Sequence, residues 1–504
     1  MSRLRATGLA CLVVAWGSVR ADNVLLIIAD DLGTDSLSGF NVNPTASFPP
    51  TPTIDGLRAQ GLAFGRFYAY PTCSPTRASI MTGRHAFRTG VLAPEINQLQ
   101  PNDFTLPEAL VASGVIGDRL ACIGKWHLGN DADSPNEIGG WPHFVGTLGG
   151  ALLDYDSFDK VVDGVTVPNS AYATTENVND AVAWIDARGT ESWFLWLAFN
   201  APHTPLHRPP NDLHDYDSIS DDGAPGSRDH YEAMVQAMDT EIGRLLGAVD
   251  LAETTVIFMG DNGTSGRVIQ PPFASDHAKG SLYEGGIRVP MVIAGAAVDP
   301  SLAGTAYDGI IHACDLYATI LELFGVVAAD VVPQELVLDS RSFAPLLDTG
   351  AYSRDPADVM ALTPSSAGTA DGDRTIVGQE FKFILREGGA GELYRVDANP
   401  REAVNFLAGT LNASQQAAYD DLTARLAGYA NQPEVHRMHF DGEGGFNLEL
   451  GWFANASLTL ERGLNLVGWE AVPGAEIIDN GDPVIILRDP APPDDRAFYR
   501  VVDE

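Results

Sequence analysis

The chain has 504 residues, 45% of them apolar, and carries 31 Lys and Arg against 67 Asp and Glu, a formal net charge of −36. That apolar share supports a large core and excludes a disordered chain, while the charge excludes nucleic acid and anionic membranes as partners. The length accommodates one large domain with smaller ones behind it.

Residues 1–21 read as an export signal: Arg3 and Arg5, then an apolar run from Leu9 to Trp16 too short to span a bilayer, then small residues around Val19-Arg20-Ala21. The expectation is a secreted or periplasmic protein without a membrane anchor. Cys11 leaves with this signal, and Cys73, Cys122 and Cys314 remain. An odd count in an exported chain points to a thiol that is not a structural staple. Cys122 and Cys314 sit in apolar contexts and read as buried free thiols.

Four short apolar runs follow, each ending abruptly in polar residues. Val24–Ile28 ends in Ala29-Asp30-Asp31, and Leu120–Ile123 in Gly124-Lys125-Trp126-His127. Trp193–Phe199 ends in Asn200-Ala201-Pro202-His203, and Val256–Met259 in Gly260-Asp261-Asn262-Gly263. Such runs predict strands buried on both faces. Helix-length segments lie between them. One is Tyr231–Leu246, with Met234, Met238, Ile242 and Leu246 on its inner face and Asp239 and Glu241 off it. The alternation predicts an α/β domain over 22–375, a mostly parallel or mixed central sheet sandwiched by helices. Ligands of such sheets bind at the carboxyl ends of the strands, so the four polar clusters are expected on one rim.

Beyond about residue 375 the pattern changes. Lys382–Leu385 and Glu392–Val396 predict short antiparallel strands, Asp397–Pro400 a turn, and Ser414–Tyr429 a helix with Ala418, Leu422, Leu426 and Tyr429 inward. This makes a small antiparallel α+β subdomain over 376–432. Residues 433–504 alternate like a sheet, with Leu458–Leu460, Leu464–Leu466 and a hairpin at Asn480-Gly481, and predict a terminal β module.

Asp30, Asp31, Asp261 and Asn262 all offer oxygen. Adjacent carboxylates at strand ends repel unless a cation sits among them, and an all-oxygen set suits a hard ion such as calcium or magnesium, not zinc. Asn262-Gly263-Thr264 also spells a glycosylation sequon, which metal binding at Asn262 would exclude. In Pro71-Thr72-Cys73-Ser74-Pro75-Thr76-Arg77 a small nucleophile lies in a turn fixed by Pro75, with a permanent cation one helical turn on. Lys125 and His127 are expected on one side of an extended segment. His203 sits in a proline-rich loop and Lys279 in a glycine-rich one.

The string Pro71–Arg84, taken with these clusters, resembles the signature of the formylglycine-dependent sulfatases of the alkaline phosphatase superfamily. The resemblance runs over residues 22 to about 430. It implies the fold of that superfamily and hydrolysis of sulfate esters. It further implies a maturation enzyme that oxidises Cys73 to formylglycine, and a divalent ion, usually calcium, held by Asp30, Asp31, Asp261, Asn262 and the modified Cys73. The roles implied are nucleophile for Cys73, charge stabilisation for Arg77, Lys125 and Lys279, proton acceptor for His127, and leaving-group acid for His203 or Lys279. The hydrate of the aldehyde attacks sulfur with one hydroxyl, and the second, once deprotonated, expels sulfate by C–O cleavage. Sulfated carbohydrate is the expected substrate class. The alternatives are a phosphodiesterase or phosphonate hydrolase of the same superfamily, and a silent binder of sulfated glycans in which Cys73 stays a thiol. Arg288 is assigned a structural role near Glu284, His85 a structural one, and His207 and His277 are candidates to contact substrate or to support groups that do. Phe273–Ala278 departs from the family pattern, which often has Arg-Gly before the lysine.

Overall fold

The computed structural model describes residues 23–430, except 42, 44, 95, 222–226, 334–335, 353–358 and 398–399, together with the backbone of strands between 435 and 503. The export signal with Cys11, the tip of the 397–400 turn, Leu464–Leu466 and Asn480-Gly481 lie outside the described residues.

The main sheet is built from β1 (Asn23–Ala29), β2 (Leu62–Tyr68), β3 (Leu120–Lys125), β4 (His143–Thr147), β5 (Phe158–Val162), β6 (Val165–Asn169), β7 (Phe194–Ala198), β8 (Thr254–Gly260), β9 (Met291–Gly295) and β10 (Thr305–His312). Their order is β10-β2-β9-β8-β1-β7-β3-β4-β5-β6. The four strands expected from sequence, β8, β1, β7 and β3, are consecutive neighbours and all parallel. β9 runs antiparallel to β8 and β2, and β5 and β6 add an antiparallel edge. Along β1 the side chains alternate between two cores: Val24, Leu26 and Ile28 enter one, Leu25 and Ile27 the other. Both faces are covered, so the strand reads as an unbroken apolar run.

The helix expected at 231–246 spans Arg228–Leu246, and its apolar face packs as expected save that Leu245, not Leu246, is fully buried. Asp239 and Glu241 are not solvent-facing but buried. Asp239 accepts hydrogen bonds from the backbone N–H groups of Thr53 and Ile54, at 3.0 and 2.8 Å. These open helix α1 (Pro52–Gln60), which Thr51 leaves uncapped. A helix start without its own cap takes an acceptor from a neighbouring helix. Glu241 accepts from Thr175 and Arg244.

A second, antiparallel sheet joins β11 (Val359–Leu362), β12 (Arg374–Val377), β13 (Phe381–Leu385) and β14 (Gly391–Arg395). The expected boundary at 375 therefore falls within β12, because β11 already belongs to this sheet. The helix Ala413–Ala430 lays Leu422 and Leu426 into the core beneath it, with Ile376, Phe383 and Leu393. Farther on, the strands Val435–Phe440, Phe446–Gly451, Val484–Asp489 and Glu476–Asp479 form one sheet, and Glu470–Ala471, Leu458–Gly463 and Phe498–Asp503 another. Among the described residues no helix is long and apolar enough to cross a membrane.

A buried ion cluster ties the two sheets' territories together. Lys382 Nζ, on β13, lies 3.2 Å from Glu284 Oε1 and 2.8 Å from Glu402 Oε1, all three side chains fully buried. Glu402 Oε2 accepts from the Glu284 N–H at 2.7 Å. Burial pushes the Glu402 carboxyl up to about 7; Lys382 opposes this and the Glu284 charge adds to it. The folded state thus holds this proton more tightly than the unfolded chain does. The stabilisation is fully present below the ordinary carboxyl value and is lost as pH rises through about 7. Glu402→Gln, which mimics the protonated form, should therefore gain stability relative to the parent as pH rises from 4.5 to about 7 in denaturant titrations. A gap that stays constant across that range would remove this assignment.

Candidate active site

Because β8, β1, β7 and β3 are parallel, their carboxyl ends share one edge. Ala29 is level with Gly260, and Gly124 with Ala198. The next residues out are Asp30 and Asp31 after β1, Asp261 and Asn262 after β8, and the 200–203 loop after β7; β3 ends on Lys125 itself. Close approach here requires glycine at 124: a Cβ at that position would lie 1.9 Å from the Ala198 carbonyl oxygen. Asp31 and His127 adopt left-handed backbone, with φ of 67° and 61°. This conformation costs non-glycine residues roughly 1–2 kcal/mol and clusters at functional sites. The segment after Lys125 is therefore not extended as expected. It bends at His127, and the bend still turns both side chains into the site. The His127 N–H donates to Leu148 O at 3.0 Å, and its carbonyl accepts from Ser74 Oγ at 3.0 Å.

The Pro71–Arg77 string forms the start of helix α2 (Cys73–Thr82) and not an isolated turn. Pro75 is tolerated because it falls in the first turn, where no intrahelical N–H is needed. Gly83 ends the helix with φ 67° and donates to Ser79 O. Cys73 is the first helical residue, and its Sγ lies 3.2 Å from His127 Nδ1. Arg77 follows one turn later, fully buried. Its Nε and Nη2 donate to Asp261 Oδ2 at 3.2 and 2.8 Å, and its Nη1 to Lys125 O at 2.9 Å.

Asp30, Asp31, Cys73, Arg77, Lys125, His127, His203, Asp261, Asn262 and Lys279 are gathered in this one pit. Lys125 Nζ lies 2.5 Å from Asp30 Oδ2, and Lys279 Nζ 2.5 Å from Asp31 Oδ1. Asn262 Nδ2 donates to Asp31 Oδ1 at 2.8 Å, and the Asp31 N–H to Asp261 Oδ1 at 3.1 Å. His203 Nε2 stands 3.8 Å from Asp31 Oδ2. Ligand atoms of Asp30, Cys73 and Asp261 lie within 4.8 Å of one another, as do those of Asp30, Asp31 and His203. Two buried oxygens here, Asp30 Oδ1 and Asn262 Oδ1, have no hydrogen-bond partner among the described residues. Orphaned acceptors among three carboxylates are what a hard cation satisfies, so the donor set fits calcium or magnesium. Asn262 is fully buried, which rules out its sequon as a glycan site in the folded chain.

The electrostatics agree with this fit. Burial works against the Asp30 charge, but Lys125, then His203 and Lys279, outweigh it and hold the carboxyl well below its ordinary value. Asp261 is pushed up by burial and by the Asp30 charge, against the pull of Arg77, a repulsion that a cation would relieve. Burial pushes the Cys73 thiol up, and Lys125 and Lys279 only partly offset it. The unmodified thiol is therefore no ready nucleophile. Burial, with Lys125 and Arg77 beside it, pushes the His127 imidazole down to about 2, so it is neutral. Lys279 resists burial through Asp31 and is held charged.

Around the pit, Tyr155 was not foreseen. Its hydroxyl reaches Asn200 O at 2.7 Å and His203 O at 2.8 Å, fixing the loop that presents His203. Its tyrosine neighbourhood gave no sequence signal, because its partners lie some 45 residues away. Asp35 and Thr264 were missed as well: Thr264 Oγ1 donates to Asp35 Oδ1 at 2.6 Å beneath Asp31, and the only clue was that Thr264 stands two residues after Asn262. His207 packs on the Tyr155 ring at 4.3 Å and meets the Tyr172 hydroxyl at 3.1 Å, in support of the His203 loop. His277 stacks on Tyr283 with ring centroids 3.6 Å apart. His85 is buried against the Tyr70 hydroxyl at 3.0 Å, and Arg288 Nη1 lies 3.7 Å from Glu284 Oε2. Cys73, Cys122 and Cys314 are buried.

Comparison with known proteins agrees with this geometry. Residues 22–326 match the family model described as Sulfatase. Arylsulfatase J of Mus musculus is 27% identical over 356 residues, which is 66% of this chain but 56% of the mouse protein. A sulfatase of Formosa agariphila is 26% identical over 484 residues, covering 78% of this chain and 85% of the relative. The solved structure of Ps i-CgsB superposes with a TM-score of 0.67 at 26% identity, covering 81% of this chain and 93% of that one. The chain belongs to the sulfatase family, sulfuric ester hydrolases of the alkaline phosphatase superfamily.

Proposed function

We propose that this chain is an exported sulfatase that hydrolyses sulfate esters of carbohydrates, using formylglycine made from Cys73 and calcium held by Asp30, Asp31, Asp261 and Asn262. The observation that carries the reading is the pair of unpartnered buried oxygens, Asp30 Oδ1 and Asn262 Oδ1, in the cage that also holds Cys73. Calcium bound there supplies positive charge for the sulfate oxygens and acidifies the attacking hydroxyl. The carbohydrate class is supported by relatives: Ps i-CgsB has been solved with k-i-k-neocarrahexaose, and N-acetylgalactosamine-6-sulfatase of the dog is 25% identical over 395 residues.

The chain's own residues divide the work by position. The Cys73 Sγ stands where an oxygen of the converted residue would lie, and the neutral His127 Nδ1, 3.2 Å away, takes the proton that releases sulfate. Arg77 braces Asp261 and the end of β3 without leaving the interior. Lys125 and Lys279 set two fixed cations beside the sulfate oxygens, in a site where water screens little. Lys279 is committed to its ion pair with Asp31, which leaves His203, half-buried at the mouth, to protonate the departing alkoxide. An acidic protein can bind an anionic ester because these contacts are short and desolvated, whereas the long-range repulsion is screened.

The test pairs two measurements. Mass spectrometry of the Cys73 peptide should show a loss of about 18 Da, SH and H replaced by a carbonyl oxygen. Nitrophenyl sulfate should be turned over faster than nitrophenyl phosphodiesters. An intact thiol without turnover would instead favour a glycan binder, and faster phosphodiester cleavage would favour the phosphodiesterase reading.

A further inference from the structure

We infer that Arg267 forms a subsite for a second anion on the substrate, so that the preferred ester lies on a glycan carrying another sulfate or a carboxylate beside the scissile one. This rests on the sulfatase reading and narrows it. A narrow gap of about 10 Å³ lies beside Asp31 and is lined by Pro202, Thr204, Leu206, Ser265 and Arg267 as well. It therefore joins the cation cage to the loop that presents His203. Arg267 is exposed, and among the described residues its guanidinium has no hydrogen bond or ion pair. In a chain with 67 acids against 31 Lys and Arg, an arginine beside the site that is unmatched among the described residues is notable, since Arg77, Arg228 and Arg288 are all paired with carboxylates.

The backbone that carries Arg267 is fixed on both sides. Thr264 Oγ1 is bound to Asp35 and accepts from the Gly33 N–H. The Val268 and Ile269 N–H groups close a turn on Ser265 O, and Val268 O accepts from Arg228 at 2.9 Å. A rigid base under a free planar cation suits bidentate capture of a sulfate or carboxylate. The Ser265 hydroxyl, also without a hydrogen bond among the described residues, supplies a further donor. Asp31 on the same wall does not repel the anion strongly, since Lys279 and Asn262 already neutralise and engage it.

The test is calorimetric binding to the mature, calcium-loaded protein, which reads the subsite without turnover. The probes are inorganic sulfate, with one anion, and heparin and ι-carrageenan fragments, with many. Arg267→Ala should weaken binding of at least one fragment class by about tenfold more than it weakens binding of sulfate. Arg267→Glu should widen that difference, and Arg267→Lys should restore part of it. Arg425→Ala, on the helix Ala413–Ala430, removes the same charge elsewhere and should shift the fragments less than twofold. The inference fails if Arg267→Ala shifts sulfate and fragments equally, if it matches Arg425→Ala, or if the parent binds fragments no better than sulfate. Absence of nitrophenyl sulfate turnover by the parent is a separate result that counts against the sulfatase reading alone.

Discussion

Cys73→Ala is expected to lower nitrophenyl sulfate turnover by roughly 10⁴-fold or more, the scale seen when a covalent nucleophile is removed. Stability should change little by comparison. The thiol is small, and among the described residues its Sγ hydrogen-bonds only with His127 Nδ1, at 3.2 Å. Alanine therefore leaves a minor cavity at the start of α2 and no orphaned charge. Cys122→Ala provides the contrast. That side chain belongs to the core beneath β3, so its loss should cost about 1 kcal/mol of stability and leave turnover within a few-fold. Melting curves and kcat for the two variants, taken together, separate a chemical role from a packing one. A Cys73→Ala protein that keeps turnover within tenfold of the parent would end the formylglycine proposal.

Arg77→Met carries the largest expected stability effect. Arg77 and Asp261 are both fully buried and joined at 2.8 Å. Removing one partner of a buried pair leaves an uncompensated charge and typically costs about 3–5 kcal/mol. Turnover should also collapse, since the guanidinium braces Asp261 and the end of β3. The proposed cation supplies a second check. Calcium beside Asp261 would compensate part of the stranded charge, so the loss in denaturant midpoint should be smaller with saturating calcium than with chelator. For the parent, calcium at a hundred times its dissociation constant should add about 2.7 kcal/mol. Equal losses with and without calcium would place the cation away from Asp261.

Much of this site could be read from sequence because its parts announce themselves locally. Val24–Ile28 and Val256–Met259 are unbroken apolar runs, so their strands, and the acids that follow, could be located without neighbours. The rim was then a consequence of parallel pairing. What escaped depends on partners brought from far away. Asp239 reads as a surface residue on a helical wheel, yet it is buried because α1, almost two hundred residues earlier, needs an acceptor. Lys382 looks like an exposed lysine on a short strand, and only Glu284 and Glu402 explain why it is buried. His127 sits where alternation predicts extended chain, and its left-handed turn is set by Leu148 and Ser74 from other segments. β9 reverses direction within a sheet whose other central strands are parallel, and no feature of Met291–Gly295 signals that reversal.

The cluster of Lys382, Glu284 and Glu402 bears on how the gene can be trimmed. The family match stops at residue 326, which invites a shortened clone ending just beyond it. Such a clone would strand Glu284 inside the protein without its lysine, and Glu284 opens the short helix Glu284–Ile287, five residues after Lys279. The smallest piece that keeps Lys279 moored must therefore extend through the second sheet to Glu402, and the two parts are best regarded as one inheritance unit.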